Sequence, residues 1–161
     1  FAARRPQPSG RFSLIERLPL SSTSFDEKPF VDGDGGLWFT SRRLGGPGLH
    51  DIWYAPADGE GFADASPVPE LNSPLSDDAV VMRGDGLMIY FSSDREEEGD
   101  RDIYVACRAD RSEHFNPPLR VTELSVTGWD HPLWLSPDGR RMLIATYRSP
   151  SQSQDVWEVS R

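Results

Sequence analysis

Little in this 161-residue chain points to a disulfide framework, a membrane or a nucleic acid. Cys107 is the single cysteine, so no intrachain disulfide can form. No apolar run approaches the 18 residues that mark a membrane-spanning helix, so no membrane span is expected. No signal peptide is visible, and the opening Phe1 in place of Met points to a processed or trimmed start. Seventeen Lys and Arg stand against 26 Asp and Glu, a formal net charge of −9. So acidic a chain repels phosphate, and no nucleic-acid partner is expected. Sustained 3.6-residue periodicity is missing too, so no helix is expected. The Gly-x-Ser-x-Gly elbow, His-Glu-x-x-His, the phosphate-binding loop with Lys-Ser/Thr and Cys-x-x-Cys are all absent.

Chain breakers and aromatics are abundant instead. Fourteen glycines and fourteen prolines are too many for a helical bundle, and five Trp, eight Phe and four Tyr demand burial. Four marks recur in a fixed order. An aromatic opens a strand-like run closed by leucine: Phe12 to Leu20, Phe62 to Leu71, Phe115 to Leu124. An acidic start leads to a Gly-rich turn: Asp26 to Gly36, Asp78 to Gly86, Asp130 to Gly139. An apolar run closes on Arg43, Arg95 or Arg148, and Asp51, Asp102 or Asp155 then opens DIWYA, DIYVA or DVWEV. The arginines are 52 and 53 residues apart and these aspartates 51 and 53. The chain is therefore an internal repeat with a period of about 52 residues.

Each period reads as four short strands, a to d. Strand a is PFVD, AVVMR or PLWLS, and an Asp-Gly turn reverses the chain because it accepts positive φ at little steric cost. Strand b is LWFT, LMIYF or MLIAT, apolar enough to be covered on both faces. Strand c starts at the repeated Asp, and strand d is the run ending in leucine. Four-stranded antiparallel units of this length, covered on both faces, describe the blades of an all-β fold, the β-propeller. A sandwich would alternate more cleanly and lack the four-strand period.

Ser136-Pro137-Asp138-Gly139, preceded by Asp130-His131-Pro132 and followed by a strand, an Arg and Asp-Val-Trp, resembles the TolB-like (WD-repeat-like) propeller repeat. The segment SSDREEEGDRDIYVACR at 92–108 is similar to that repeat's second half. The resemblance covers residues 25–161 in three copies. The first two copies carry Asp34-Gly35-Gly36 and Gly84-Asp85-Gly86 in place of Ser-Pro-Asp-Gly, which preserves the turn chemistry. The resemblance implies a non-enzymatic module that binds a protein or ligand in the periplasm, in the cell envelope or outside the cell.

The strand order d, abcd, abcd, abc gives three four-stranded blades within residues 12–161, with 1–11 as a flexible basic tail. Propellers typically need at least four blades. The chain is therefore expected to be half of a six-bladed ring, the N-terminal strand of each copy closing the last blade of the other in a homodimer. The alternative is a piece of a longer chain.

In a propeller the d–a and b–c connections share one face, at the channel mouth. There the sequence puts Asp26, Glu27, Asp77, Asp78, Trp129, Asp130 and His131 as candidate ligand-binding residues, with loops 44–50, 96–101 and 149–154 beside them. Converging carboxylates need protons, arginines or a cation, so Ca²⁺, another divalent metal or a basic ligand is one expectation. The competing role is to cap strand ends by accepting backbone amides. His131 beside Asp130 could bind metal or act as a base. The class to set against a binding module is a glycan-acting enzyme, a polysaccharide lyase or glycoside hydrolase, with Asp26, Asp78, Asp130 and His131 as its groups. The Arg43/Asp51, Arg95/Asp102 and Arg148/Asp155 combinations recur in every unit, so they are expected to be ion pairs or hydrogen bonds that pin hairpins rather than catalytic groups. Cys107 aligns with Pro56 and Ser160 and reads as a framework residue.

Overall fold

Asp-Gly turns fold the chain into antiparallel strands throughout the computed structural model, which describes residues 2–4, 9, 14–149 and 153–160. In chain order the strands are β1 (Ala2–Arg4), β2 (Leu14–Glu16), β3 (Asp26–Val31), β4 (Leu37–Ser41), β5 (Asp51–Ala55), β6 (Ala57–Asp58), β7 (Gly61–Phe62), β8 (Ser66–Pro67), β9 (Asp77–Met82), β10 (Met88–Ser93), β11 (Asp102–Cys107), β12 (Leu119–Arg120), β13 (His131–Leu135), β14 (Arg141–Thr146) and β15 (Asp155–Ser160). A single 3-10 turn at Thr122–Leu124 is the only helical element among the described residues. The fold is all-β.

Three open antiparallel sheets follow one another along the chain. The first has the order β3-β4-β5-β8, the second β9-β10-β11-β12 and the third β13-β14-β15. Strands a, b and c stand where the repeat puts them, but strand d shrinks to two paired residues in β8 and β12. Between a and b the chain turns through Gly35, Gly86 and Gly139, at φ 83°, 74° and 72°. The amide of each donates to the carbonyl three residues back, on Asp32, Arg83 and Ser136. This left-handed backbone is what glycine permits and other residues resist.

Alternation along the strands sends side chains to both neighbours. Ile89 and Phe91 of β10 join Trp38, Ile52, Val68 and Leu71 in a core between the first and second sheets. Tyr90, one position away, joins Ile103, Leu124, Met142 and Ile144 in a second core between the second and third. A third cluster, Leu37, Phe39, Trp53 and Ala55, lies on the opposite side of the first sheet, with Leu18, Leu20 and Phe62 against it. Leu71 and Leu124, one period apart, thus fill equivalent gaps between sheets. Leu20, one period earlier, covers the outer side of the first sheet.

Two features depart from the expected strand tally. Leu14–Glu16 pairs with Ala2–Arg4 as a separate hairpin, so β1 falls inside the stretch expected as a tail and β2 does not lie on the third sheet. Among the described residues, the outer edge of β15 has no fourth strand.

Candidate functional site

The end of the sheets where the a strands begin is built on a repeated framework. Asp26 accepts from the Ser22 amide, the Ser41 hydroxyl and the Arg43 guanidinium. Asp77, one period later and fully buried, accepts from the Ser73 amide, the Ser93 hydroxyl and the Arg95 guanidinium. Asp130 accepts from the Val126 amide, with Thr146 and Arg148 at the matching positions of its own unit. Burial pushes the Asp130 carboxyl above the usual carboxylate range. Asp26 and Asp77 therefore tie the d–a connection to the end of strand b, which is the capping role, while Asp130 holds the d–a connection through the Val126 amide and its Oδ1 is buried without a hydrogen-bond partner among the described residues.

This framework also corrects the expected ion pairs. Arg43 and Arg95 pair with Asp26 and Asp77 of strand a, not with Asp51 and Asp102. Asp51 instead accepts the Gly48 amide, Asp102 is held by Arg120, and Asp155 is exposed. Antiparallel pairing sets the starts of both strand a and strand c beside the end of strand b, Asp26 and Asp51 flanking Ser41 and Asp77 and Asp102 flanking Ser93. Asp51 is engaged by the Gly48 amide and Asp102 by Arg120, and the arginine past strand b takes the strand-a carboxylate.

The next residue of strand a differs in every unit: Glu27, Asp78 and His131. Each a strand then carries a one-residue bulge, a device that re-aims side chains. Lys28 and Ala79, at equivalent bulge positions, have positive φ of 51° and 56° without being glycine. Such strain gathers where the surroundings impose it. The Lys28 ammonium lies 2.9 Å from Asp78 Oδ2, and Arg101 Nη1 closes on the same oxygen. Asp78 Oδ1 lies 3.5 Å from His131 Nδ1. Burial works to raise the Asp78 pKa, but His131, Lys28 and Arg101 outweigh it and hold the carboxyl at about 2.

The Ser92 hydroxyl donates to the Asp130 carbonyl and lies 2.8 Å from His131 Nδ1. With that hydrogen engaged, His131 Nδ1 carries its own proton and donates to Ser92. No partner among the described residues engages Nε2. His131 borders a cavity of about 320 Å³ between the a strands, lined also by Lys28, Phe30, Ala79, Pro132 and Gln154. Glu27 points elsewhere, to within 3.9 Å of His50 Nε2. Burial, with Arg42 and Arg101 adding to it, lowers the His50 pKa, and His50 Nε2 accepts from Arg42.

The rim of this end is aromatic and apolar. Phe25 and Trp129, at the same repeat position, are 64% and 48% exposed, and Leu44, Leu49 and Tyr147 are exposed beside them. Arg42 stacks over Phe25 and Arg101 over Trp129. His50 and Arg101, at matching positions before strand c, bridge to Ser76 and Trp129 and so link neighbouring sheets.

The structure thus brings together Asp78, His131 and Trp129. It assigns Asp26, Asp77 and Asp130 to the framework and directs Glu27 toward His50. It adds Lys28, Arg101, Ser92 and Arg42, which were not among the candidates. A sequence signal did exist for Arg101: its repeat counterparts are His50 and Gln154, a position that diverges beside an aspartate that does not. Among the described residues no three His, Cys, Asp or Glu side chains are grouped to hold a metal ion. No known protein-family model matches the chain, and neither does any curated protein sequence.

Proposed function

We propose that this chain is a three-blade, TolB-like β-propeller unit that binds a protein at the end where its a strands begin, without catalysing a reaction. The observation that carries this reading is the contrast between two sets of positions at that end. Asp26, Asp77 and Asp130 repeat and fix the backbone. The positions around them diverge and expose Phe25, Trp129, Leu44, Leu49 and Tyr147 with stacked arginines. Aromatic and arginine side chains on a rigid scaffold are the groups that carry binding energy at protein interfaces. The carboxylates counted from sequence as a cation-attracting mouth are largely engaged by Arg43, Arg95, Arg101 and Lys28. A protein partner therefore fits better than a Ca²⁺ ion.

Selection of a displayed random-peptide library on the purified chain tests this. Enriched peptides should lose binding to the Phe25→Ala/Trp129→Ala variant by about tenfold or more. No enrichment, or equal binding to the variant, refutes the assignment.

One observation favours the enzymatic alternative. Asp78 and Ser92 orient His131 through Nδ1 and leave Nε2 to the cavity, the geometry of a general base. A glycosidase needs a second carboxylate roughly 5–10 Å away beside the substrate, and Asp26 and Asp130 are engaged in the framework. Turnover of a polysaccharide that His131→Ala abolishes would establish the enzyme.

A further inference from the structure

At the opposite end of the sheets, where the a strands finish, another cavity opens between the first and second sheets. It measures about 320 Å³, at the lower end of the range for small-molecule sites. The a–b turn of the first sheet and the chain between β11 and β12 help to wall it, and Trp38, Tyr54 and Phe115 give it aromatic surface. Trp38 and Phe115 are buried and Tyr54 is half-buried. The Trp38 and Tyr54 ring centroids are 4.6 Å apart, and Phe115 meets Trp38 edge-on at 6.3 Å.

Two opposite charges line this cavity without an ion-pair partner among the described residues. Asp32 Oδ1 accepts the Asp34 and Gly36 amides, each at 2.9 Å, and Oδ2 accepts the Trp38 indole N–H at 2.8 Å. No cation pairs with it. The Arg108 guanidinium stacks on Phe115 at 4.4 Å and donates to the Gly86 carbonyl at 2.9 Å, with a longer 3.4 Å contact to the Glu113 carbonyl. No carboxylate pairs with it, and the nearby Asp110 accepts from Ser112 instead. Other charges on the walls are committed: Arg111 closes on Asp34, and His114 lies 3.1 Å from Glu70. The Tyr54 hydroxyl stands within the field of both unpaired groups. Burial, Asp32 and Asp34 raise its pKa against Arg108, so the phenol keeps its proton. It has no hydrogen-bond partner among the described residues. A side chain at Gly36 would collide with the Tyr54 ring, so the glycine makes room for it. None of this is repeated framework. The counterparts of Asp32, Trp38 and Tyr54 are Arg83, Tyr90 and Val105, and Arg83 has its own partner in Asp85 at 2.7 Å.

We propose that this cavity binds a free α-amino acid, its carboxylate on Arg108, its ammonium on Asp32 and its side chain against Tyr54 and Pro67. The site is separate from the protein-binding end and does not rest on that reading. A zwitterion is the ligand that satisfies both unpaired charges at once. A simple anion would meet Asp32, Glu70 and Glu113, and a simple cation would meet Arg108. Charge-assisted hydrogen bonds at both ends make such recognition strong and directional. Arg108 is already held flat against Phe115 by its bond to Gly86, and Asp32 is fixed by three N–H donors. Groups held in place before the ligand arrives lose little freedom on binding. The Tyr54 hydroxyl donates to the same ligand.

Thermal unfolding of the full chain with each of the common L-amino acids at about 5 mM tests this. At least one should raise Tm, because a ligand of the folded state alone stabilises it, and calorimetric titration then gives its Kd. The N-acetyl derivative of that amino acid lacks the ammonium and its amide lacks the carboxylate, so each should bind at least about tenfold more weakly. Arg108→Gln and Asp32→Asn should each weaken binding of the parent amino acid by about tenfold. Asp32→Asn should leave the residual affinity for the N-acetyl derivative unchanged, and Arg108→Gln that for the amide. Both derivatives are measured on the unaltered chain, so the test stands even where a variant fails to fold. Phe25→Ala/Trp129→Ala should bind the amino acid normally, so this proposal and the protein-binding one fail separately. No rise in Tm with any amino acid overturns the proposal. So does a derivative that binds as tightly as its parent, or binding indifferent to either cavity substitution.

Discussion

Replacing Asp77 with asparagine removes one charge from a site that water does not reach. Asp77 is 0% exposed and accepts from a backbone amide, a serine hydroxyl and Arg95. Asparagine has the same shape but only one acceptor oxygen, so its NH₂ must face one of those donors, and Arg95 loses its counterion. Breaking a buried pair by removing one partner costs about 3–5 kcal/mol. Arg95 keeps some solvent contact, with 18% of its side chain exposed, which places the loss near 3 kcal/mol. For a domain of this size that lowers Tm by about 6–12 °C. Asp26→Asn removes the same partners in a more exposed setting, 18% against 0%, and should cost about 1 kcal/mol. Urea unfolding followed by tryptophan fluorescence, with calorimetry for Tm, measures both. Equal losses at the two positions, or an Asp77→Asn loss below about 0.5 kcal/mol, would refute the buried-cap account.

Other outcomes follow from the same packing and charge. Leu71→Ala empties a fully buried site between the first two sheets and should cost about 3–5 kcal/mol in urea unfolding. Gly48→Ala sets a methyl group onto the backbone carbonyls of Leu75 and Ser73. The Leu75 carbonyl cannot move without breaking its hydrogen bond from the Leu49 amide, so about 3 kcal/mol should be lost, read as a drop in Tm. The folded Asp78 pKa of about 2 lies below its ordinary 3.8. Its contribution is therefore fully present above pH 4 and is lost as pH falls toward 2, a change of about 2 kcal/mol. Urea midpoints at pH 4.5, 3 and 2 should show a steeper acid loss in wild type than in Asp78→Asn, and parallel curves would contradict the assignment.

The repeat was legible because turn chemistry and the Arg and Asp marks are local and dictate where the chain reverses. The N-terminal strand was harder to see. Residues 1–12 match 104–115 at several positions, but that stretch holds neither the Arg nor the Asp mark by which the period is counted. The site was half legible. Asp78 and His131, candidates because charge and position coincide there, lie together in the structure. Asp26, Asp77 and Asp130 recur in every unit, the same ground on which the repeated Arg and Asp residues were set aside, and their backbone and arginine partners match the capping role that the sequence offered beside the ligand role. Lys28 reaches Asp78 from the neighbouring first sheet, and Arg101 from the b–c loop of Asp78's own unit. Sequence spacing within one unit carries no trace of contacts between sheets.

The central claim is that successive sheets stack face to face, with separate cores between them. Isoleucine δ1-methyl NOEs test it most directly, since Ile52 and Ile89 belong to the first core and Ile103 and Ile144 to the second. Stacked sheets predict cross-peaks joining Ile52 with Ile89 and Ile103 with Ile144, and none joining Ile52 with Ile144. A cross-peak between Ile52 and Ile144, with the two expected pairs missing, would mean one continuous two-layer core and would contradict the account.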